Sequence, residues 1–333
     1  MAGLGVGDLA QSLSMRRRNA QLKAQLNQLG AENASGKAAD LSRAVGGDHR
    51  ATAALNRSLT QLAAYKTATT QAGLLADAAQ TSVSTVQSLL EARYAATLSV
   101  ASSTTSVTVT TAAQEARTAF AGAVAALNAQ VGGRAVFSGT GTGTPLPSAE
   151  DLLAGITAAA SGAATAADAI AAVADWFDAA TGGYADSYQG AADPLAPMTI
   201  GAGEAVRLEV TALDPALKTT LQGFALASLA GSEPFASDLA MAGALLTGAG
   251  ETMARAGVAM TALSARIGIV QARVETVATA NAAETSSLKI ALSGLTEVDP
   301  YDSATLLTSV ESQQKVLYAV TTRLSALSLL DYL

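Results

Sequence analysis

The stretch YDSATLLTSVESQQKVLYAVTTRLSALSLLDYL, residues 301–333, contains neither proline nor glycine. Ahead of it, Asp299 and Pro300 read as an N-cap followed by proline at the first helical position, so the spacing predicts one uninterrupted helix. Leu306, Val310, Leu317, Val320, Leu324 and Leu327 step by four and three residues, with Gln313 in the one polar slot. That series is a coiled-coil seam, and a seam needs a second helix to cover it. A lone helix of this length is marginal in water, so the tail is expected to fold only against a partner.

Two other stretches have the matching periodicity. Leu239, Leu246, Met253, Met260, Ile267, Val274, Asn281, Leu288 and Leu295 recur every seven residues, with Leu263, Val270 and Val277 at the companion position. A strict seven-residue repeat predicts a long helix supercoiled on a neighbour. Near the N-terminus, roughly Asp8 to Leu29, Met15, Leu22, Leu26 and Leu29 form one stripe interrupted by Asn19, a fitting mate for the tail.

Proline maps the remainder. All seven lie between residues 145 and 300, so residues 1–144 and 235–299 are free to be long helices. A connector of Gly, Ala, Ser and charge spans Gly30 to Gly47, followed by a helix from about Asp48 to Val100. The Ser/Thr run 102–111 is a weak helical section. A further helix is expected over Thr111–Val131, stopped by Gly132-Gly133 as a C-cap.

Within residues 141–234, Ala149–Phe177 is alanine-rich and helical. Met198–Ala212 alternates like a half-buried strand, and Asp214-Pro215 starts a helix running to about Leu229. The fold class expected is therefore mainly α, long coiled-coil helices with a small α+β inserted domain. Five segments follow: an N-terminal arm (1–47), N-terminal long helices (48–140), the inserted α+β domain (141–234), a C-terminal long helix (235–299) and a C-terminal helix (300–333). The Pro/Gly composition further suggests that the segment from about Gly141 to Ser232 can be replaced by a short linker with the long helices retained.

Composition excludes several function classes. With 333 residues, 50% hydrophobic but only 4% aromatic, any core is built from Ala, Leu and Val. The net charge of −7 argues against nucleic acid as a partner. Residues 1–50 are locally +3, including Arg16, Arg17 and Arg18, which leaves the rest at −10. Cysteine is absent, which removes disulfides, thiolate nucleophiles and thiolate metal sites. There is no apolar signal-peptide core in residues 1–20 and no unbroken eighteen-residue apolar run, so neither a cleaved leader nor membrane insertion is expected.

The segment Leu324-Ser325-Ala326-Leu327-Ser328-Leu329-Leu330-Asp331-Tyr332-Leu333 resembles the carboxyl end of the flagellin superfamily. Its aromatic-Leu finish is nearer to the hook-filament junction members, the hook-associated protein 3 branch, than to filament flagellin. Gly133-Arg134-Ala135-Val136-Phe137-Ser138-Gly139-Thr140 is similar to the family's Gly-Arg-Tyr-x-Phe-Ser-Gly-Thr segment, with Ala135 in place of the aromatic. Ser35-Gly36-Lys37 fits the connector, while only Gly47-Asp48 represents the usual Asp-Asp pair.

The resemblance covers roughly residues 1–140 and 235–333, and it implies a long antiparallel coiled-coil helical bundle formed by the N- and C-terminal arms, with 1–47 as assembly arm, 300–333 as assembly helix and 141–234 as the outer domain. It implies a non-enzymatic structural subunit of the bacterial flagellum, joining hook to filament by helical self-assembly, without cofactor or metal. It also implies an extracellular location reached by type III export. Implied partners are copies of the chain in a homo-oligomeric ring, the other hook-associated protein, flagellin and an export chaperone. The assembly interface would comprise Leu22, Leu26, Leu29, Leu306, Val310, Leu317, Val320, Leu324 and Leu327.

Filament flagellin itself and a soluble coiled-coil signalling protein remain alternatives, as does an enzyme housed in 141–234. Chemistry is thinly represented. His49 is the single histidine and reads as a loop or cap residue. Gly139, Gly141 and Gly143 lack the lysine of a phosphate loop and read as a turn. Ser286/Lys289 and Ser312/Lys315 match a serine-lysine pattern but sit inside helices explained by packing. Asp175 and Asp178 flank Trp176-Phe177 as acids on a helix surface.

Overall fold

A computed structural model describes the backbone of residues 6–330 and the side chains of residues 10–323. The fold is mainly α with a small α+β insertion. In chain order it has helices α1 (Val6–Ser35), α2 (Leu41–Ala44), α3 (Arg50–Ser102) and α4 (Ser106–Leu127), then strands β1 (Gln130–Val131) and β2 (Arg134–Ala135). Helices α5 (Ala149–Ala160), α6 (Ala166–Asp178) and α7 (Gly183–Ser187) precede strands β3 (Met198–Gly201) and β4 (Glu204–Val206). Helices α8 (Pro215–Leu229), α9 (Leu239–Thr296) and α10 (Pro300–Leu330) complete the chain. Two compact units result, one of residues 1–62 with 283–333 and one of residues 63–282.

The unit of residues 63–282 holds the larger core. On α9 the seven-residue stripe Leu246, Met253, Met260 and Ile267 is fully buried, together with its companions Ala242, Ala249, Ala256 and Leu263. Alanine at the companion sites lets backbones approach closely, and Gly223 of α8 extends this: a Cβ there would lie 2.8 Å from Met253 Cγ. Among the described residues α9 is also long and apolar enough, by length and composition, to cross a membrane, with a best window of mean hydropathy 1.3. The absence of an unbroken apolar run did not reveal this. Packing buries 28% of that window, the share that carries the stripe.

Local chemistry fixes where helices stop. Thr105 and Thr108 form a reciprocal capping box that restarts the chain as α4 after a break at residues 103–105. At the other end, α4 stops at Leu127 because the Asn128 side chain clamps Leu146 both ways, donating to its carbonyl (2.9 Å) and accepting from its amide (3.0 Å). Gly132-Gly133 is therefore not the helix cap expected from sequence. It is the two-residue turn of the β1–β2 hairpin, with φ of 59° and 79°, the double positive φ a type I′ turn requires.

The alanine-rich stretch 149–177 divides into α5 and α6, and the alternating segment 198–212 pairs as a hairpin only over β3 and β4. Val206, Leu208 and Val210 are buried while Arg207 and Glu209 are exposed, so the alternation persists beyond the ladder. The hairpin packs on the second apolar cluster, formed by Ala72, Ile200, Val206, Val274 and Val277. Asn281, the polar member of the heptad series, donates to the Ile200 carbonyl at 2.8 Å.

Residues 141–234 are not packed as a detachable layer. Leu152, Ile156, Val173, Phe177 and Tyr184 share one continuous core with α3, α4 and α9. Helix α8 is capped by Asp214, which also pairs with Arg266 at 2.5 Å, and twelve of its fifteen residues are buried. Removing it would strip the long helices of their cover. Phe224→Ala is expected to lower the stability of this unit by about 3–5 kcal/mol, checked by urea denaturation followed by helical circular dichroism.

Tyr184 gives a pH signature. Burial, reinforced by nearby Tyr188, pushes its phenol well above the ordinary value of 10.0, and its hydroxyl donates to the Ala212 carbonyl at 2.8 Å. The folded chain keeps this proton where the unfolded chain releases it, so unfolding is favoured increasingly above pH 10. Stability should be flat with respect to this group below pH 10 and fall above it. Tyr184→Phe should flatten the alkaline slope in melts taken from pH 9 to 11.

In the other unit, α1 ends at Gly36, whose φ of 68° stops the helix while its amide donates to the Glu32 carbonyl at 2.7 Å. The connector then pairs with the α9–α10 junction: Ala38 N donates to the Thr296 carbonyl (2.9 Å) and Val298 N to the Gly36 carbonyl (3.1 Å). The buried Glu32 carboxylate braces this joint by accepting from Ala39 N at 3.1 Å and Gln28 Nε2 at 3.0 Å. Loss of a buried acceptor costs about 1–3 kcal/mol, so Glu32→Ala should speed hydrogen exchange at Ala38 and Ala39 while leaving Phe224-region amides protected.

Candidate assembly interface

Helix α10 begins as its sequence dictates: Asp299 Oδ1 accepts from Tyr301 N at 2.8 Å, and Pro300 opens the first turn. It packs against α1. The antiparallel bridge between Lys37 and Glu297 sets one end of the pair, and residues 10–22 face residues 309–320 toward the other. The helices are thus antiparallel.

On α1 the inward stripe is Met15, Asn19, Leu22, Leu26, Leu29 and Glu32. Leu22 is buried at 8% exposure, and Leu26 and Leu29 are half-buried. On α10 the inward stripe is Ser303, Leu307, Val310, Gln314 and Leu317, again stepping by four and three. Val310 is 8% exposed and Leu317 half-buried, whereas Leu306 and Val320 are 55% and 42% exposed. Side chains of Leu324 and Leu327 lie outside the described residues.

Two interleaved series therefore run along α10, sharing Val310 and Leu317. The sequence reading took the more apolar one, through Leu306 and Val320. The chain instead turns Leu307 and Gln314 inward. Gln314 and Ser303 are poor seam residues, and Ser303 Oγ is buried without a hydrogen-bond partner among the described residues. Across this entire unit, the described apolar side chains that are buried are Leu22, Leu62 and Val310. Each contributes about 1.5–3 kcal/mol, little beside the ordering of arms this long.

A groove of about 1190 Å³ lies between the two helices, with Leu13, Met15, Leu22, Val316, Leu317 and Val320 on its walls; of the outer series only Gln313 and Val320 join the shared Leu317 there. Val316 is 63% exposed. Arg17 and Arg18 stand on its rim, and neither forms an ion pair among the described residues. Sequence reasoning missed Ser303, Leu307, Gln314 and the arginines as features of this pair. A comparison of the two series offset by one residue was the signal that could have found them.

The other candidate residues have local roles. Asp48 caps α3, and its side-chain hydrogen bonds with the Arg50 guanidinium, together with the Arg50 amide, hold its carboxyl below the usual range. His49 Nε2 lies 3.2 Å from Ser42 Oγ in the connector. Ser138 Oγ donates to the Gly141 carbonyl (2.8 Å), and Thr140 N donates to Asp193 O (3.0 Å), so this loop's polar groups are engaged within the chain. Lys218 Nζ donates to the Phe177 carbonyl at 2.9 Å and pairs with Asp178 at 3.4 Å. Ser312 Oγ donates to its own helix, to Thr308 O at 2.9 Å. Among the described residues no group of three or more His, Asp or Glu is placed to hold a metal ion.

No curated protein matches the chain. Residues 251–333, the later part of α9 and all of α10, match the family described as Bacterial flagellin C-terminal helical region, so the C-terminal arm that builds this groove is similar to the corresponding arm of flagellins.

Proposed function

We propose that this chain is a structural subunit of the bacterial flagellum that self-assembles through α1 and α10. The observation that carries the reading is the flagellin likeness of residues 251–333, on a helix whose apolar stripes are only half used within the chain. Exposed contiguous apolar surface of this kind marks protein–protein contact. We assign Leu22, Leu26, Leu29, Leu306, Val310, Leu317, Val320, Leu324 and Leu327 to the assembly interface.

Within the flagellum we assign the chain to the hook-filament junction, on the Phe137-Ser138-Gly139-Thr140 and Asp331-Tyr332-Leu333 segments. Its partners there are further copies of itself in a ring, the other hook-associated protein and flagellin, with an export chaperone before assembly. The site is extracellular, reached by flagellar type III export. Filament flagellin is the second reading, favoured by the same helical-region match. Labelling purified flagella with an antibody to residues 141–234 separates them: a band beside the hook supports the junction, and labelling along the filament supports flagellin. Unlabelled flagella would overturn both.

A substitution tests the interface itself. Val316→Glu places a charge on the exposed groove wall, so the monomer's melting temperature should change by no more than about 1–2 °C, consistent with surface substitutions near ±0.5 kcal/mol. Incorporation into flagella in cells should be lost. Thr308→Glu, an exposed position outside the groove lining, should be far milder.

A further inference from the structure

We propose that the groove between α1 and α10 receives the segment Leu324–Leu333 of a second copy of this chain. The inference rests on the assembly reading above and names the occupant of that interface. The groove pairs apolar walls with a cationic rim, Arg17 and Arg18. Its occupant should therefore be apolar with an acid at one point. Leu324–Leu333 has that composition: its single charged side chain is Asp331, among five leucines and Tyr332. The N-terminal fifty residues are +3 against −10 for the remainder, so the sign of attraction between copies is the same at larger scale.

The occupant comes from another copy for a geometric reason. Helix α10 continues to Leu330, ten positions beyond Val320, the last groove residue on it. At 1.5 Å per residue that is about 15 Å farther along the axis. The segment cannot return to its own groove without unwinding the helix. Delivered to a neighbour, it makes a head-to-tail contact, the type that propagates into rings or helical arrays.

The test is a fluorescein-labelled peptide of residues 321–333, titrated with full-length protein held below its polymerising concentration and read by anisotropy. Saturable binding is expected, at least tenfold weaker for R17E/R18E and weakening with salt. A D331R peptide should bind R17E/R18E more tightly than the native peptide does. Circular dichroism of R17E/R18E should match the parent, since both arginines are exposed.

No binding up to about 1 mM, a free energy of only about −4 kcal/mol, overturns the proposal. So does equal binding of a scrambled peptide, or binding indifferent to charge reversal. A chain that polymerises without binding the peptide loses this inference and keeps the assembly reading. Peptide binding by a protein absent from flagella does the reverse.

Discussion

The stripe of Leu246, Met253, Met260 and Ile267 along α9 is the constraint on which the rest of the larger unit depends. Its side chains can be buried only if several helices wrap it, because one partner covers one seam and this stripe has alanine flanks that admit more. Helices α3, α6 and α8 meet α9 directly, through Leu98 at Gly250, Ile170 at Gly248 and Gly223 at Met253, within a core that α4 shares. With so few aromatics in the chain, the core is held by close approach instead of bulk: Gly248, Gly250 and Gly223 leave no room for a Cβ at those contacts.

Legibility in the sequence followed the strength of the local signal. The seven-residue series on α9, the Asp214-Pro215 start of α8 and the Asp299-Pro300 start of α10 each carry a strong local signal, a long period or a cap followed by proline, and each is where the residues placed it. Gly132-Gly133 failed because glycine after a helix serves a cap or a hairpin equally well. The decision was taken by Asn128, through a clamp on Leu146 eighteen residues away.

The middle segment marks a different limit of the sequence. Proline and glycine mark its turns, but composition says nothing about what lies on top of it. In α8, Thr220 and Ser228 are buried because their hydroxyls donate to carbonyls of their own helix, Ala216 at 2.8 Å and Ala225 at 2.9 Å. Polar letters thus hid a helix enclosed on nearly every side. On α10, two apolar series one residue apart were both readable, and the inner one was chosen by the fit to α1, which no single-helix pattern contains.

The pairing of α1 with α10 joins the first and last stretches of the chain, some three hundred residues apart in sequence. Contacts of such separation form late, since loop closure precedes any reward. At a synthesis rate of about 5–20 residues per second, the first arm waits on the order of 15–60 s for its mate to exist. Throughout that interval α1 has no mate, so a helix made early is among the last to be covered, and its apolar stripe meets whatever is nearby before it meets α10.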